Sequence, residues 1–201
     1  MKPAPKVLVA IDAHPLAIEQ ARALCAFSRV TADAAKSHGR HGEILAYLAI
    51  AGLGIELHFK ALMICARAGR VTKGHDLSLL YAEFPEFLKD FMEWQYKQLI
   101  PAAGWEIKMT ALTFRKEQPP VPGITPAPKY NTFAAAIGTS SKIFEHARYL
   151  FERVNPVEWE IFAFAPDALN AVMVTLDRTY THFIAGDFAS KPGPPGPTHA
   201  A

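Results

Sequence analysis

The stretch from Gly52 to Glu83, GLGIELHFKALMICARAGRVTKGHDLSLLYAE, constrains the fold more than any other part of the chain. Leu57, Ala61, Ile64 and Cys65 recur at helical spacing, the run stops at Gly69, and Leu77, Leu80, Tyr81 and Phe84 resume it. A gap this short admits only an antiparallel return, so the segment is predicted to be a helical hairpin with a glycine-punctuated turn. Asp76, immediately before Leu77, is placed to cap the second helix.

The flanking sequence extends the hairpin into a bundle. After an extended arm through Ile11, Pro15 can open a first helix carrying Leu16, Gln20, Ala23, Leu24, Phe27, Val30 and Ala34 at helical spacing, to about Lys36. A polar turn from His38 to Gly42 leads into helix two, Glu43 to Ala68, and helix three runs from Asp76 to about Leu99, with Pro85 allowed only as a kink or a new start. Gly52 and Gly54 inside helix two each cost about 1 kcal/mol against alanine, which predicts a close helix crossing or a subunit contact there. Between Pro101 and Tyr130 the helical pattern fails. Trp105, Ile107 and Met109 alternate with polar residues like a short strand, and QPPVPGITPAPK follows. Helix four contains SSKIFEHARYLFERV, an apolar link spans Val157 to Phe164, and a last helix runs from Pro166 to Gly186.

The expectation is therefore an all-α fold: an up-and-down antiparallel helical bundle of about five helices without substantial sheet. It forms a single domain over residues 1–186, with an irregular, partly extended insertion at 101–130 between helices three and four. The Pro- and Gly-rich tail, 187–201, has no means of forming a core and is read as disordered.

With 201 residues, half of them apolar, the chain can bury one sizeable core, and a net charge of +2 selects neither for nor against an anionic partner. Cys25 and Cys65 fall at apolar helical positions and read as reduced thiols, which points to the cytoplasm. The N-terminal run is broken by Asp12 and lacks a cleavage pattern. The uncharged apolar run from Ile44 to Ile55 is shorter than the ~20 residues a bilayer span needs, so no membrane segment is expected. There is no phosphate-binding Gly-Lys-Ser/Thr loop, no paired CxxC and no HExxH, and the His38 and His41 pair has no nearby acid or thiol to complete a metal site. Neither a metal nor a cofactor is expected.

Two pairs could carry chemistry. Glu56 and Lys60 stand four apart in a favourable order on an apolar helix, a spacing that suits a partly buried ion pair, structural or functional. Arg70 and His75 are separated by four residues. A histidine that moves a proton and an arginine that stabilises a phosphate suffice for metal-free cleavage of RNA through its own 2′-hydroxyl. The same residues have a structural reading, with His75 and Asp76 fastening the turn and Arg70 serving the end of helix two.

Taken together, AGLGIELHFKALM (51–63) followed by KGHDLSLLY (73–81) resembles the HEPN family (higher eukaryotes and prokaryotes nucleotide-binding), in its bacterial stand-alone form. The segment Phe144 to Glu152 resembles the arginine- and tyrosine-bearing helix with a trailing acid found in such proteins. The resemblance covers roughly Glu43 to Glu152. It implies a helical bundle, frequent homodimerisation, and roles in RNA cleavage, toxin–antitoxin pairs or nucleotide-linked defence. Catalytic members carry an arginine, four to six residues and a histidine, a pattern that Arg70 and His75 match. The expected function is thus a helical binding module whose groove, lined by Glu56, Lys60, His75, Asp76, Arg148, Tyr149 and Glu152, recognises RNA, a nucleotide or a partner protein such as an antitoxin. The alternative is a metal-independent endoribonuclease using Arg70 and His75.

Overall fold

The computed structural model describes residues 6–38, 41–100, 110–114, 130–141, 160–164 and 166–188. Among these are six α-helices: α1 (His14–His38), α2 (His41–Ala66), α3 (Leu77–Ala82), α4 (Glu86–Leu99), α5 (Phe133–Ser140) and α6 (Pro166–Ile184). The fold is an all-α helical bundle. Helix directions follow from paired positions: Arg22 meets Asp177 while Arg29 meets Asn170, a constant sum that makes α1 and α6 antiparallel. Gln95 with Arg178 and Phe91 with His182 make α4 and α6 antiparallel by the same rule. Tyr47 with Pro166 and His58 with Asp177 keep a constant difference, so α2 and α6 run parallel.

Helix α2 is the centre of the bundle. Ala51, Ile55, Phe59, Ala61, Leu62 and Met63 are fully buried on it, and fully burying each larger apolar side chain stabilises the fold by about 1.5–3 kcal/mol. A helix apolar on all sides belongs either in a protein core or in a bilayer. By length and composition Glu43–Ala66 could cross a membrane, yet 67% of its most apolar window is buried inside the protein. The predicted close crossing is within the chain: a Cβ on Gly54 would stand 2.8 Å from Cys25 Sγ on α1 and 3.5 Å from the Ala21 carbonyl oxygen. Only a glycine lets the two helices approach this closely.

The expected helix three is two helices. Pro85, at φ −65° and ψ 152°, is extended and caps α4, because the proline ring disfavours helical backbone in the residue before it and supplies no N–H. Phe59, Tyr81, Phe84, Phe133 and Tyr96 then form one aromatic cluster joining α2, α3, α4 and α5, with ring centroids 5.5–6.5 Å apart. Two short antiparallel ribbons were not anticipated. β1 (Lys6–Leu8) pairs with β2 (Arg70–Thr72), turning the N-terminal arm and part of the hairpin turn into strands. β3 (Thr110–Phe114) pairs with β4 (Glu160–Phe164), so part of the insertion is tied to the apolar link before α6. Strands this short carry too little alternation to be read from sequence. Residues 101–109 and 115–129 of the insertion, positions 142–154 of the expected helix four and the tail beyond Phe188 lie outside the described residues.

Candidate functional site

Three polar residues interrupt α2 at alternate positions. At 100° per residue Glu56 and Lys60 share one face, and His58 points to the opposite one. Glu56 is only 2% exposed, and both its oxygens are engaged: Oε1 accepts from Lys60 Nζ at 2.5 Å and Oε2 lies 2.8 Å from His75 Nδ1. A carboxylate this deep is tolerable only with such partners, since an isolated buried charge costs several kcal/mol. The His75 side chain stays 54% exposed, so the pair joins a buried acid to an imidazole open to solvent.

His75 reaches Glu56 because the intervening turn is tightly specified. Ala68 (φ 48°) and Gly69 (φ 80°) take left-handed backbone after α2, and Gly69 N–H bonds the Ile64 carbonyl at 2.8 Å. Val9 N–H bonds the Gly69 carbonyl at 2.9 Å, and a Cβ on Gly69 would sit 2.2 Å from the Val9 carbonyl oxygen, so no side chain fits there. Glu83 clamps the turn between Arg67 Nη1 (2.6 Å) and Lys6 Nζ (3.1 Å). Burial pushes the Glu83 carboxyl up, and the two cations outweigh it and hold it below the usual range. Gly74, at φ 119°, then turns the chain so that Asp76 Oδ1 accepts from Ser78 N–H (3.0 Å) and Leu79 N–H (3.2 Å). The expected cap is in place, and His75 is held directly before it.

Glu56, Lys60 and His75 therefore meet, with Asp76 fixing the backbone beside them. Arg70 stands on β2 opposite Leu8, exposed to solvent, and Lys73 is exposed three residues on. No described acid pairs with either cation. Arg148, Tyr149 and Glu152 lie outside the described residues. No cluster of three His, Cys, Asp or Glu suited to a metal occurs among those described.

A second polar network, on the other side of α2, was missed. His58 is 1% exposed, with Nδ1 donating to the Gly54 carbonyl at 2.8 Å and Nε2 lying 3.8 Å from Asp177 Oδ1 on α6, too far for a hydrogen bond. Asp177 also accepts from Arg22 Nε at 2.6 Å, and Arg22 Nη2 bonds Thr181 Oγ1 at 3.2 Å. The His58 ring above all, then Arg22, holds the Asp177 carboxyl below its ordinary value. Cys25 Sγ lies 3.8 Å from His58 Nδ1, so Cys25, His58 and Asp177 line up in the order of a nucleophilic triad. The chemistry rules that role out. The Nδ1 facing the thiol already carries the proton given to Gly54, and burial pushes the thiol up to about 12, far from the thiolate a nucleophile needs. This network fastens α1 and α6 to α2. Its one sequence signal was a histidine four residues after Gly54, on the face that Cys25 approaches.

Comparison with family models, with curated proteins and with solved structures finds no match for the chain.

Proposed function

We propose that the chain is an HEPN-like helical binding module that takes RNA or a nucleotide on the surface around Lys60, Arg70, Lys73 and His75. The observation that carries this reading is the buried Glu56 carboxylate, which fixes Lys60 and His75 together at the edge of a segment bearing two more exposed cations. Phosphate oxygens are matched by such donors, since charge-assisted hydrogen bonds to phosphate are shorter and stronger than neutral ones. The chain's small net charge leaves recognition to this local patch rather than to a global field. The two free thiols suit a reducing cytoplasmic setting. A protein partner such as an antitoxin would compete for the same surface.

The test is fluorescence anisotropy of a labelled single-stranded RNA at several salt concentrations, comparing the parent with Arg70→Glu/Lys73→Glu. Each cation withdrawn from a phosphate lowers the salt slope by roughly one, so the double variant should lose about two and bind at least tenfold more weakly at low salt. Binding that is absent at low salt, or that is indifferent to both reversals, overturns the proposal.

One observation favours the catalytic reading as well. A carboxylate bonded to one nitrogen of a solvent-open imidazole is the arrangement that orients a histidine for proton transfer. As an endoribonuclease, the chain would use His75 as acid or base and Arg70 to stabilise the phosphate. Cleavage of mixed RNA in the presence of a chelator, abolished by Arg70→Ala, is the expected result, and intact RNA across pH 6 to 8 refutes it.

We further propose a homodimer through α1. Leu16 (60% exposed), Phe27 (59%) and Val30 (64%) leave an apolar stripe on this helix with no partner among the described residues. Leu16 and Val30 are each seven residues from Ala23, so an antiparallel copy turned about Ala23 sets Leu16 against Val30 twice. Light scattering should report twice 22.1 kDa, and Val30→Glu should return it to that mass. A 22.1 kDa species for the parent at micromolar concentration removes the dimer.

A further inference from the structure

A small polar cleft of about 190 Å³ opens where α1 and the first turns of α2 and α6 meet. Arg29 and Asp33 line it from one face of α1, Tyr47 from α2, and Asp167, Asn170 and Met173 from α6. Tyr47 (4% exposed) and Met173 (2%) form a buried floor, and the four other side chains stand exposed around it. Nine residues of α2, about 14 Å along the helix axis, separate Tyr47 from Glu56. The cleft is therefore distinct from the Glu56, Lys60 and His75 site.

Opposite charges line this cleft without pairing with each other. Arg29 donates Nε to Asn170 Oδ1 at 2.9 Å, its one hydrogen-bond partner among the described residues, so the guanidinium is held while both terminal nitrogens stay available. That fork matches a carboxylate with two parallel bonds. Asp167 lies in the first turn of α6, where the helix dipole favours the ionised carboxyl, and no described cation pairs with it. Burial first, then the Asp167 charge, pushes the Tyr47 phenol up, so Tyr47 presents a neutral hydroxyl near that acid. With Asp33 the lining carries one guanidinium and two carboxylates, a balance that disfavours a phosphate. Size points the same way: drug-sized ligands fill roughly 300 Å³ or more, whereas about 190 Å³ is room for about six waters. We propose that the cleft binds a free α-amino acid with an apolar side chain, its carboxylate on Arg29, its ammonium on Asp167 and its side chain on Met173. A ligand bearing both charges satisfies both groups, whereas one bearing a single charge strips water from the other group and returns no partner.

The test titrates the full chain with L-valine, L-leucine and L-methionine to about 10 mM, followed by saturation-transfer NMR and calorimetry. Two further probes, 3-methylbutylamine and 4-methylpentanoate, are leucine without its carboxylate and without its amine. At least one amino acid should bind saturably, and both single-charge probes should bind at least about tenfold more weakly. Arg29→Gln and Asp167→Asn each remove one charge from an exposed side chain, so they should melt close to the parent and bind the amino acid at least about tenfold more weakly. Absence of saturable binding by all three amino acids overturns the proposal, and so does a single-charge probe that binds as tightly as the amino acid. The probe comparison uses the unaltered chain and decides the matter whatever the stability of the variants. Binding that is unchanged in either folded variant also overturns the assignment.

Discussion

Glu56 and Lys60 offer a direct measure of what holds the hairpin turn to the core. The Glu56 side chain is 3% exposed, that of Lys60 23%, and that of His75 54%, so the acid is buried while its partners are partly hydrated. Breaking a fully buried pair by removing one partner costs ~3–5 kcal/mol. In Glu56→Gln the two groups left behind regain part of their hydration, which lowers the cost to about 2–3 kcal/mol. For a domain of this size that amounts to a melting temperature lower by roughly 4–12 °C. Lys60→Met leaves the carboxylate buried with only His75, at a cost of about 3 kcal/mol. The double variant Glu56→Gln/Lys60→Met contains no buried charge, so its cost should fall below the sum of the singles by at least ~1.5 kcal/mol. Urea unfolding followed by circular dichroism, with a shared slope for all four proteins, yields the cycle. Costs that add to within ~0.5 kcal/mol would show that the two side chains do not interact, and the shared site would fall with them.

Gly54→Ala places a methyl 2.8 Å from Cys25 Sγ and should destabilise by about 1–3 kcal/mol, with most of the loss recovered on adding Cys25→Ala; chemical denaturation of the single and double variants checks this. Burial pushes the thiols of Cys25 and Cys65 up to about 12 and 11, so an aromatic disulfide reagent at pH 8 should leave both unreacted in the folded chain and titrate both in denaturant. Asp177 and Glu83 are held below their ordinary values of 3.8 and 4.5, so the stability they contribute is fully present above those values and is lost as the pH falls below them through the lowered values of the folded chain; Asp177→Asn should flatten the decline in melting temperature over that acidic range.

The helical elements were legible because periodic apolar residues and caps act locally. Asp76 caps α3 through its own side chain, and the Pro85 break needs nothing beyond the proline ring. Gly54 announced a close approach by its cost alone, although the identity of its neighbour, Cys25, is set by how α1 lies on α2. The β1–β2 ribbon was hidden, because Lys6–Leu8 finds Arg70–Thr72 only after α1 and α2 have folded back between them. In the candidate site, Glu56 and Lys60 follow from one helical turn, whereas the reach of His75 to Glu56 depends on left-handed backbone at Ala68 and Gly69 and on the Glu83 clamp. His58 escaped notice for a related reason: its partner Asp177 lies on α6, and a lone histidine in an apolar run carries no periodic signal.

The two polar clusters on opposite faces of α2 differ in a way that bears on function. Around His58 every group lies at a junction of helices, and the exposed partner Asp177 closes the network with Arg22, so helix packing accounts for it. Around Glu56 the network opens outward, ending in a half-exposed imidazole and a partly exposed lysine. A buried ion pair is a weak source of stability, since well-packed apolar residues of similar volume commonly hold a fold as well or better. An apolar pair at 56 and 60 would therefore serve the bundle, but it would leave His75 without the carboxylate that orients it and the patch without Lys60. The residues actually present sacrifice core stability to fix two polar groups at the surface, which is the arrangement the proposed binding function requires.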